Sequence, residues 1–364
     1  MMEVNTIGFQ YKNIDHVEFY VSNARLASHF FRLVLGFQPV AYSGLETGVR
    51  DKESIVIKQG GIKLVLTAPL TPDSAVAEQV HRHGDGVKDI AFTVADAEQA
   101  FAEAVREGAQ PVMEPTVIED DGGWLKKAVI GTFGDTVHSL IERDGFTENL
   151  LPHYVPIPNP PFTESCGFQT IDHLALSVES GTLNTWIDFY NRAFGFQQTH
   201  QEDVITEYTA MNSKVVQNGN GLICFPIMEP SPSKRRSQIE EYLSFYRGPG
   251  VQHIAFSCDD IVGLTRQLKS KGVEFLHTPG AYYDALAERV GDCDQDLDAL
   301  RELGVLIDRD KHGYLLQIFS RPLHSRPTMF FELIQRKGAT GFGGANIKAL
   351  FEAIEREQAR RNDW

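Results

Sequence analysis

Short apolar runs with a two-residue repeat alternate along the chain with longer segments whose apolar residues recur every three or four positions. Asn13-Ile14-Asp15-His16-Val17-Glu18-Phe19-Tyr20-Val21 reads as a strand, and ARLASHFFRLVLG before Phe37 reads as an amphipathic helix. The same signals return at Thr170-Ile171-Asp172-His173-Leu174-Ala175-Leu176-Ser177-Val178, followed by LNTWIDFYNRAFG before Phe196. Gly36 and Gly195, at the ends of these helical patterns, are expected as C-caps. A second pair, Gly86-Val87-Lys88-Asp89-Ile90-Ala91-Phe92 and Gly250-Val251-Gln252-His253-Ile254-Ala255-Phe256, leads into two more helices. Each half closes on a strand, HSLIER at 138–143 and FFELIQR at 330–336, and hairpins such as SIVIKQGGIKLVLT fill the gaps with turns like Gly60-Gly61. The pattern predicts four strand–helix–strands modules, two per half. That is an α+β architecture in which paired sheets curl around a shared cavity.

Residues 151–166, LPHYVPIPNPPFTESC, interrupt the pattern with five prolines and mark the expected boundary: a first domain over 1–150, a linker over 151–166, and a second domain over 167–364. Proline lacks the amide donor, so the linker is expected neither as a central strand nor as a helix interior. Acidic residues outnumber basic ones 49 to 34, for a net charge of −15. A field of that sign repels nucleic-acid phosphates and anionic membranes, and Lys234-Arg235-Arg236 reads as a solvated loop. The start of the chain lacks the basic-then-apolar pattern of a leader, and Cys166, Cys224, Cys258 and Cys293 form no C-x-x-C pair. Cytoplasmic residence is the expectation.

Superposing the repeats compares chemistry position by position. His16 falls on His173, Asp89 on His253, and Ser139 on Glu332 once Ile141-Glu142-Arg143 is laid on Ile334-Gln335-Arg336. The second half thus carries His, His and Glu on three strands, the donor set of a 2-His-1-carboxylate iron(II) site with open positions. Strand alternation puts His173 on a face with Ile171 and Ala175, His253 with Val251 and Ala255, and Glu332 with Phe330 and Ile334. Each ligand would then interrupt an apolar face, and a buried carboxylate there needs a cation or a hydrogen-bond partner. A lone histidine on such a face is ordinarily a satisfied core residue, which is the reading given to His16.

The segments that carry a resemblance are Ile171-Asp172-His173, Ser237-Gln238-Ile239, Gly250 through Ala255, Tyr314 through Phe319, Phe330-Phe331-Glu332 with Ile334-Gln335-Arg336, and the tail from Gly341-Phe342-Gly343 to Glu352. On these the chain resembles the 4-hydroxyphenylpyruvate dioxygenase family within the vicinal-oxygen-chelate superfold, most closely from residue 165 onward. The resemblance implies two tandem glyoxalase/dioxygenase-like domains, each an open barrel of two βαβββ modules, the first without a complete metal site. It implies one Fe(II) per chain on His173, His253 and Glu332, with no catalytic residue beyond the iron centre. Its substrates would be a 2-oxo acid and O2, in tyrosine catabolism, and its assembly a homo-oligomer (dimer or tetramer) with no nucleic-acid or membrane partner. The implied substrate pocket comprises Ser213, Pro226, Gln238, Gln252, Gln317, Phe319, Phe330, Phe342 and Asn346. Ile347, Leu350, Phe351 and Ile354 follow helical spacing, with Asn346 as the expected N-cap and Gly341-x-Gly343-Gly344 as a hinge. The family implies that this helix covers the pocket.

Two pocket positions depart from the family. Met228 stands in Pro226-Ile227-Met228-Glu229-Pro230 where the family usually has asparagine, and Ile347 follows Ala345-Asn346 where it usually has phenylalanine. Both resemble the sister enzyme 4-hydroxymandelate synthase, which converts the same substrate by benzylic hydroxylation. Two further readings stay open: a non-catalytic aromatic-ligand-binding protein on this fold, and a zinc or nickel lyase or isomerase of the glyoxalase type. Such lyases often use four protein ligands, and no fourth acidic residue stands at a matching position.

Overall fold

The computed structural model describes residues 11–120, 123–144, 151, 153–284, 286–291 and 293–361; the first ten residues and Pro152 of the linker, on which two sequence expectations bear, lie outside them. The first half contains β1 (Tyr11–Tyr20), α1 (Ala24–Leu33), β2 (Gln38–Ser43), β3 (Lys52–Gln59), β4 (Ile62–Pro69), α2 (Ala75–His83), β5 (Gly86–Val94), α3 (Ala97–Arg106), β6 (Gln110–Asp120), β7 (Gly123–Gly131) and β8 (Val137–Asp144). In the linker, β9 (Val155–Pro156) pairs with the outer edge of β2, where a proline leaves no ladder bond unmade. The second half runs β10 (Phe168–Ser177), α4 (Leu183–Phe194), β11 (Gln197–Ile205), β12 (Ala210–Gln217), β13 (Cys224–Pro230), α5 (Gln238–Tyr246), β14 (Gly250–Cys258), α6 (Ile261–Ser270), three short helices α7 (Gly280–Asp284), α8 (Leu286–Val290) and α9 (Leu297–Leu303), then β15 (Leu306–Arg309), β16 (Tyr314–Phe319), β17 (Phe330–Lys337) and α10 (Gly344–Arg361).

Strand order is β6-β7-β8-β5-β1-β4-β3-β2-β9 in one sheet and β11-β12-β13-β10-β14-β17-β16-β15 in the other. Apart from β9 these are one topology, two βαβββ modules joined through an antiparallel central pair, β1–β5 or β10–β14. The halves differ after the second module helix: α3 leads straight into β6, whereas α7–α9 separate α6 from β15. No helix among the described residues is long and apolar enough to cross a membrane.

One apolar core spans both halves, with Phe31 against Phe331 (centroids 5.8 Å apart) and Tyr11 against Phe194 (5.0 Å). Two hairpin turns lace the halves reciprocally. The buried Gln59 carbonyl accepts the Cys166 and Gly167 amides (2.8 and 2.9 Å) and the Ser165 hydroxyl (2.9 Å), while its Nε2 donates to Leu35 O (2.7 Å). Asn218, on the matching turn, donates to Tyr11 O (2.8 Å). Next to Gln59, Gly60 (φ +55°) lies so near β10 that a Cβ would stand 2.5 Å from Phe168 O. Gly195 (φ +65°) caps α4 as expected. Gly36 (φ +75°) does not cap α1, whose C-cap is Val34; the left-handed residue falls two positions further on.

Asn346 is not an N-cap. The chain turns at Gly343 (φ +72°), α10 starts at Gly344, and the Asp308 carboxylate of β15 accepts the Ala345 amide (2.9 Å) from outside the helix. Asn346 is thereby carried into the first turn. Gln59→Ala should orphan several buried donors at once and destabilise the chain by about 2–4 kcal/mol, read as a lower urea midpoint for loss of ellipticity.

Candidate metal centre

The three strands expected to converge do so. His173 Nε2 and His253 Nε2 lie 3.2 and 3.4 Å from Glu332 Oε2, and among the described residues these three form a metal-competent group whose ligand atoms all fall within 4.8 Å of one another. All are buried; Glu332 is 1% exposed.

Local backbone irregularity aims the imidazoles. The β10–β14 register slips between Ile171/His173 and again between Ala175/Leu176, so Asp172 and Gln252 are the extra residues of two β-bulges. A bulge breaks the two-residue alternation. Ile171 and Val251 therefore join the main core, while His173 keeps company with Ala175 and His253 with Ala255 on the cavity side. The expected shared faces with Ile171 and Val251 are thus corrected. Each bulge residue now bonds the ring it precedes: Asp172 Oδ1 accepts from His173 Nδ1 (2.8 Å) and Gln252 Oε1 from His253 Nδ1 (3.3 Å). With a proton fixed on Nδ1, loss of the proton shared between Nε2 and Glu332 frees the Nε2 lone pair, the tautomer a metal ligand needs.

Arg336 grips Asp172 through Nε (2.7 Å) and Nη2 (2.9 Å). Gln317 Nε2 donates to Glu332 Oε1 (2.9 Å), leaving Oε2 for the histidines. Burial opposes charge on His173, but the Glu332 carboxylate and the Asp172 hydrogen bond raise it to about 9. Burial would likewise raise Glu332, yet the His173 charge and the hydrogen bonds from both rings hold it down to about 2. The protein has built a dry pocket of three lone-pair donors that demands positive charge, and a divalent metal ion fits it.

The first half repeats the scaffold with His16, Asp89 and Ser139 at the three ligand positions. Asp15 Oδ1 bonds His16 Nδ1 (2.6 Å), Arg143 grips Asp15 (2.8 and 2.6 Å), and Asp15 is again a bulge residue. At the remaining two positions Asp89 accepts the Ser139 amide (2.9 Å) and hydroxyl, and burial raises its carboxyl above the usual range. Leu151 and Tyr154 pack into this barrel against Ala41, Val56 and Val65.

Of the residues expected around the metal, Ser213, Pro226, Met228, Gln238, Gln252, Gln317, Phe319, Phe342 and Ile347 line one cavity with the three ligands. Phe330 stands behind it, stacked on the His253 ring (centroids 4.8 Å, 22°), and borders a neighbouring cavity of about 330 Å³. Asn346 is fully buried and turned toward Gln317. Leu350 and Phe351 of the expected covering helix line the cavity too, whereas sequence reasoning missed His200, Gln201, Glu202, Met211 and Val215 on the cavity wall, and Asp172 and Arg336 behind it. The last two were legible: Ile-Asp-His and Ile-x-Arg recur in both halves.

Two family models match the chain: the N-terminal domain of hydroxyphenylpyruvate dioxygenase (HPPD) over residues 4–150, and the glyoxalase/bleomycin resistance protein/dioxygenase superfamily over 170–318. The 4-hydroxyphenylpyruvate dioxygenase of Yarrowia lipolytica is 40% identical, covering 97% of this chain and 94% of that protein. That of Dictyostelium discoideum is 41% identical, covering 97% and 100%. A triple mutant of the 4-hydroxymandelate synthase from Streptomyces coelicolor superposes with a TM-score of 0.87 at 42% identity, covering 96% of this chain and 99% of that one.

At neutral pH the metal-free site keeps a proton on His173, which an entering ion must displace. Cobalt(II) affinity should therefore rise by about tenfold per pH unit from about pH 7 and level off near pH 9, with about one proton released per ion, measured by titration in buffers of differing ionisation enthalpy. Asp172→Asn should weaken cobalt(II) binding by about 10–100-fold in chelator competition.

Proposed function

The chain belongs to the 4-hydroxyphenylpyruvate dioxygenase family, and from that premise we propose that it oxidatively decarboxylates 4-hydroxyphenylpyruvate with O2 to give homogentisate and carbon dioxide, as in tyrosine catabolism. The observation that carries the reading is the buried His173/His253/Glu332 set inside an aromatic-walled cavity. Two imidazoles and one carboxylate suit iron(II), one ion per chain. When bound, that ion would supply chelation of the 2-oxo acid and activation of dioxygen.

The protein's own residues do the rest. Phe319 and Phe342 flank the ligands, with Phe342 edge-on to His173 (5.2 Å) and Phe319 edge-on to His253 (6.2 Å), so a phenyl ring finds aromatic walls beside the reacting end. Ser213, Gln238 and Gln252 offer hydrogen bonds to a phenol, and both polar atoms of the buried Gln238 amide lack a protein partner. Ile347, Leu350 and Phe351 of α10 close the cavity and exclude water from the reaction.

On this reading residues 167–364 are the catalytic half, 151–166 the linker, and 1–150 a half without a complete metal site; the mutual satisfaction of Asp89 and Ser139 supports the last point. Assembly as a homo-oligomer and residence in the cytoplasm belong to the same reading, and four unpaired thiols support a reducing compartment.

Met228 and Ile347 favour a second reading, 4-hydroxymandelate as product. Both line the cavity and sit in one apolar cluster with Met211, Val204 and Phe351. That cluster lacks the amide and the extra ring that would press the substrate toward ring attack, and a shift of about 1 Å is enough to redirect such chemistry. The two products are isomers, so NMR or chromatography distinguishes them. Anaerobic loading with Fe(II), then 4-hydroxyphenylpyruvate and O2, should yield homogentisate, and 4-hydroxymandelate would establish the second reading. His173→Ala and Glu332→Ala should each abolish turnover; near-normal rates in either would overturn the site. Ile347→Phe should raise the homogentisate share of any mixture.

A further inference from the structure

Glu332 is held by a hydrogen-bond chain that continues well past Gln317. Asn346 Nδ2 of α10 donates to Gln317 Oε1 (2.7 Å), and the Tyr282 hydroxyl of α7 lies 2.5 Å from Asn346 Oδ1 and 2.8 Å from Ile307 O; Arg289 Nη2 already donates to Ile307 O (2.9 Å), so the shorter contact, to Asn346, takes the tyrosine proton. The Ile307 amide of β15 donates in turn to the Tyr282 oxygen (3.0 Å). Side chains and backbone from α7, β15, β16 and α10 thus connect to one carboxylate oxygen. We infer that Tyr282 is a positioning residue for Glu332, acting through Asn346 and Gln317. The inference rests on reading His173, His253 and Glu332 as the metal site.

Every link donates toward Glu332, so the chain has one direction. A side-chain amide has a donor end and an acceptor end: turning Gln317 round would set its oxygen against Glu332 and its nitrogen against that of Asn346, and turning Asn346 round would set its oxygen against that of Gln317. The Tyr282 proton presents Asn346 with its nitrogen toward Gln317, and that nitrogen presents Gln317 with its own nitrogen toward Glu332. Oε1 is engaged in this way, and Oε2 is left aimed at the two imidazoles. Asn346, Gln317 and Glu332 are 0%, 2% and 1% exposed, so water does not compete and the links polarise one another. Tyr282 is itself anchored: the Arg289 guanidinium lies over its ring (4.4 Å from the centroid), and burial pushes its hydroxyl up to about 12, which keeps the donated proton in place.

The internal repeat is a control. Registers place Lys127 where Gln317 stands and Ser139 where Glu332 stands, and the first half passes from α3 to β6 without an inserted α7. The half without the carboxylate ligand is also without the relay.

Tyr282→Phe keeps the ring beneath Arg289 and removes only the hydroxyl. In the full-length metal-free protein, cobalt(II) affinity measured by chelator competition should fall by about 10–100-fold, and the visible spectrum of the bound ion should change. In an Asn346→Ala background the same substitution should cost nothing further, because the link is already cut. Undiminished affinity in Tyr282→Phe, or losses that add in the double variant, would overturn the relay; additive losses are what support of β15 through Ile307 alone would produce. If Tyr282→Phe does not fold, Asn346→Leu carries the test, and full cobalt(II) affinity there overturns the inference. Absence of cobalt(II) binding by the unaltered protein overturns the metal-site reading and the relay with it, whereas normal binding by the unaltered protein alongside an indifferent Tyr282→Phe overturns the relay only.

Discussion

An ionised carboxylate sealed from water between two imidazole rings is the constraint on which the C-terminal half is organised. Left uncompensated, such a group costs several kcal/mol, so positive charge must be supplied at that point. Each neighbouring device serves it. Bulges at Asp172 and Gln252 place a hydrogen-bond acceptor behind each imidazole, Arg336 neutralises Asp172, and Gln317 occupies one carboxylate oxygen so that the other is directed. Without the metal the site closes on a proton, which is why His173 is pushed up while Glu332 is pulled down.

Duplication shows which parts of this arrangement are scaffold and which are chemistry. The bulge, the Asp–His contact and the Arg–Asp clamp occur in both halves, so they belong to the inherited barrel. The ligand positions diverge: Asp89 and Ser139 satisfy each other at the places that His253 and Glu332 take in the second half. In the first barrel Leu151 packs against Ala91, Leu125 and Ile141, the positions that Ala255, Leu315 and Ile334 take beside the metal site.

Closure of the second barrel is tied to the same network. Arg336 also donates to Gly341 O (2.6 Å), and Asp308 receives the Ala345 amide of α10, so the segment leading into that helix is fastened to the residues behind His173. Covering the cavity and orienting the ligands are therefore coupled through shared side chains. The apolar stripe of α10 supplies the area, and the polar contacts at its start supply the register.

Much of this was legible along the chain. Four modules followed from alternating two- and 3.6-residue periods, because strands and helices bury one face each and the core imposes those repeats. The ligand set followed from laying one half on the other, since strands of equal register bring equivalent positions to equivalent places. Faces near the ligands were misread, because a bulge adds one residue that no periodicity announces and thereby moves Ile171 and Val251 into the core. Asn346 was misassigned for a related reason: its helix is capped by Asp308, a residue 38 positions away in the chain that only β15 brings near. Local composition determined the elements and the donor types. Side-chain partners across long sequence separations (Arg336 with Asp172, Tyr282 with Asn346) were decided by the tertiary fold, since hydrogen bonds act at contact distance and the chain alone does not say which distant groups will touch.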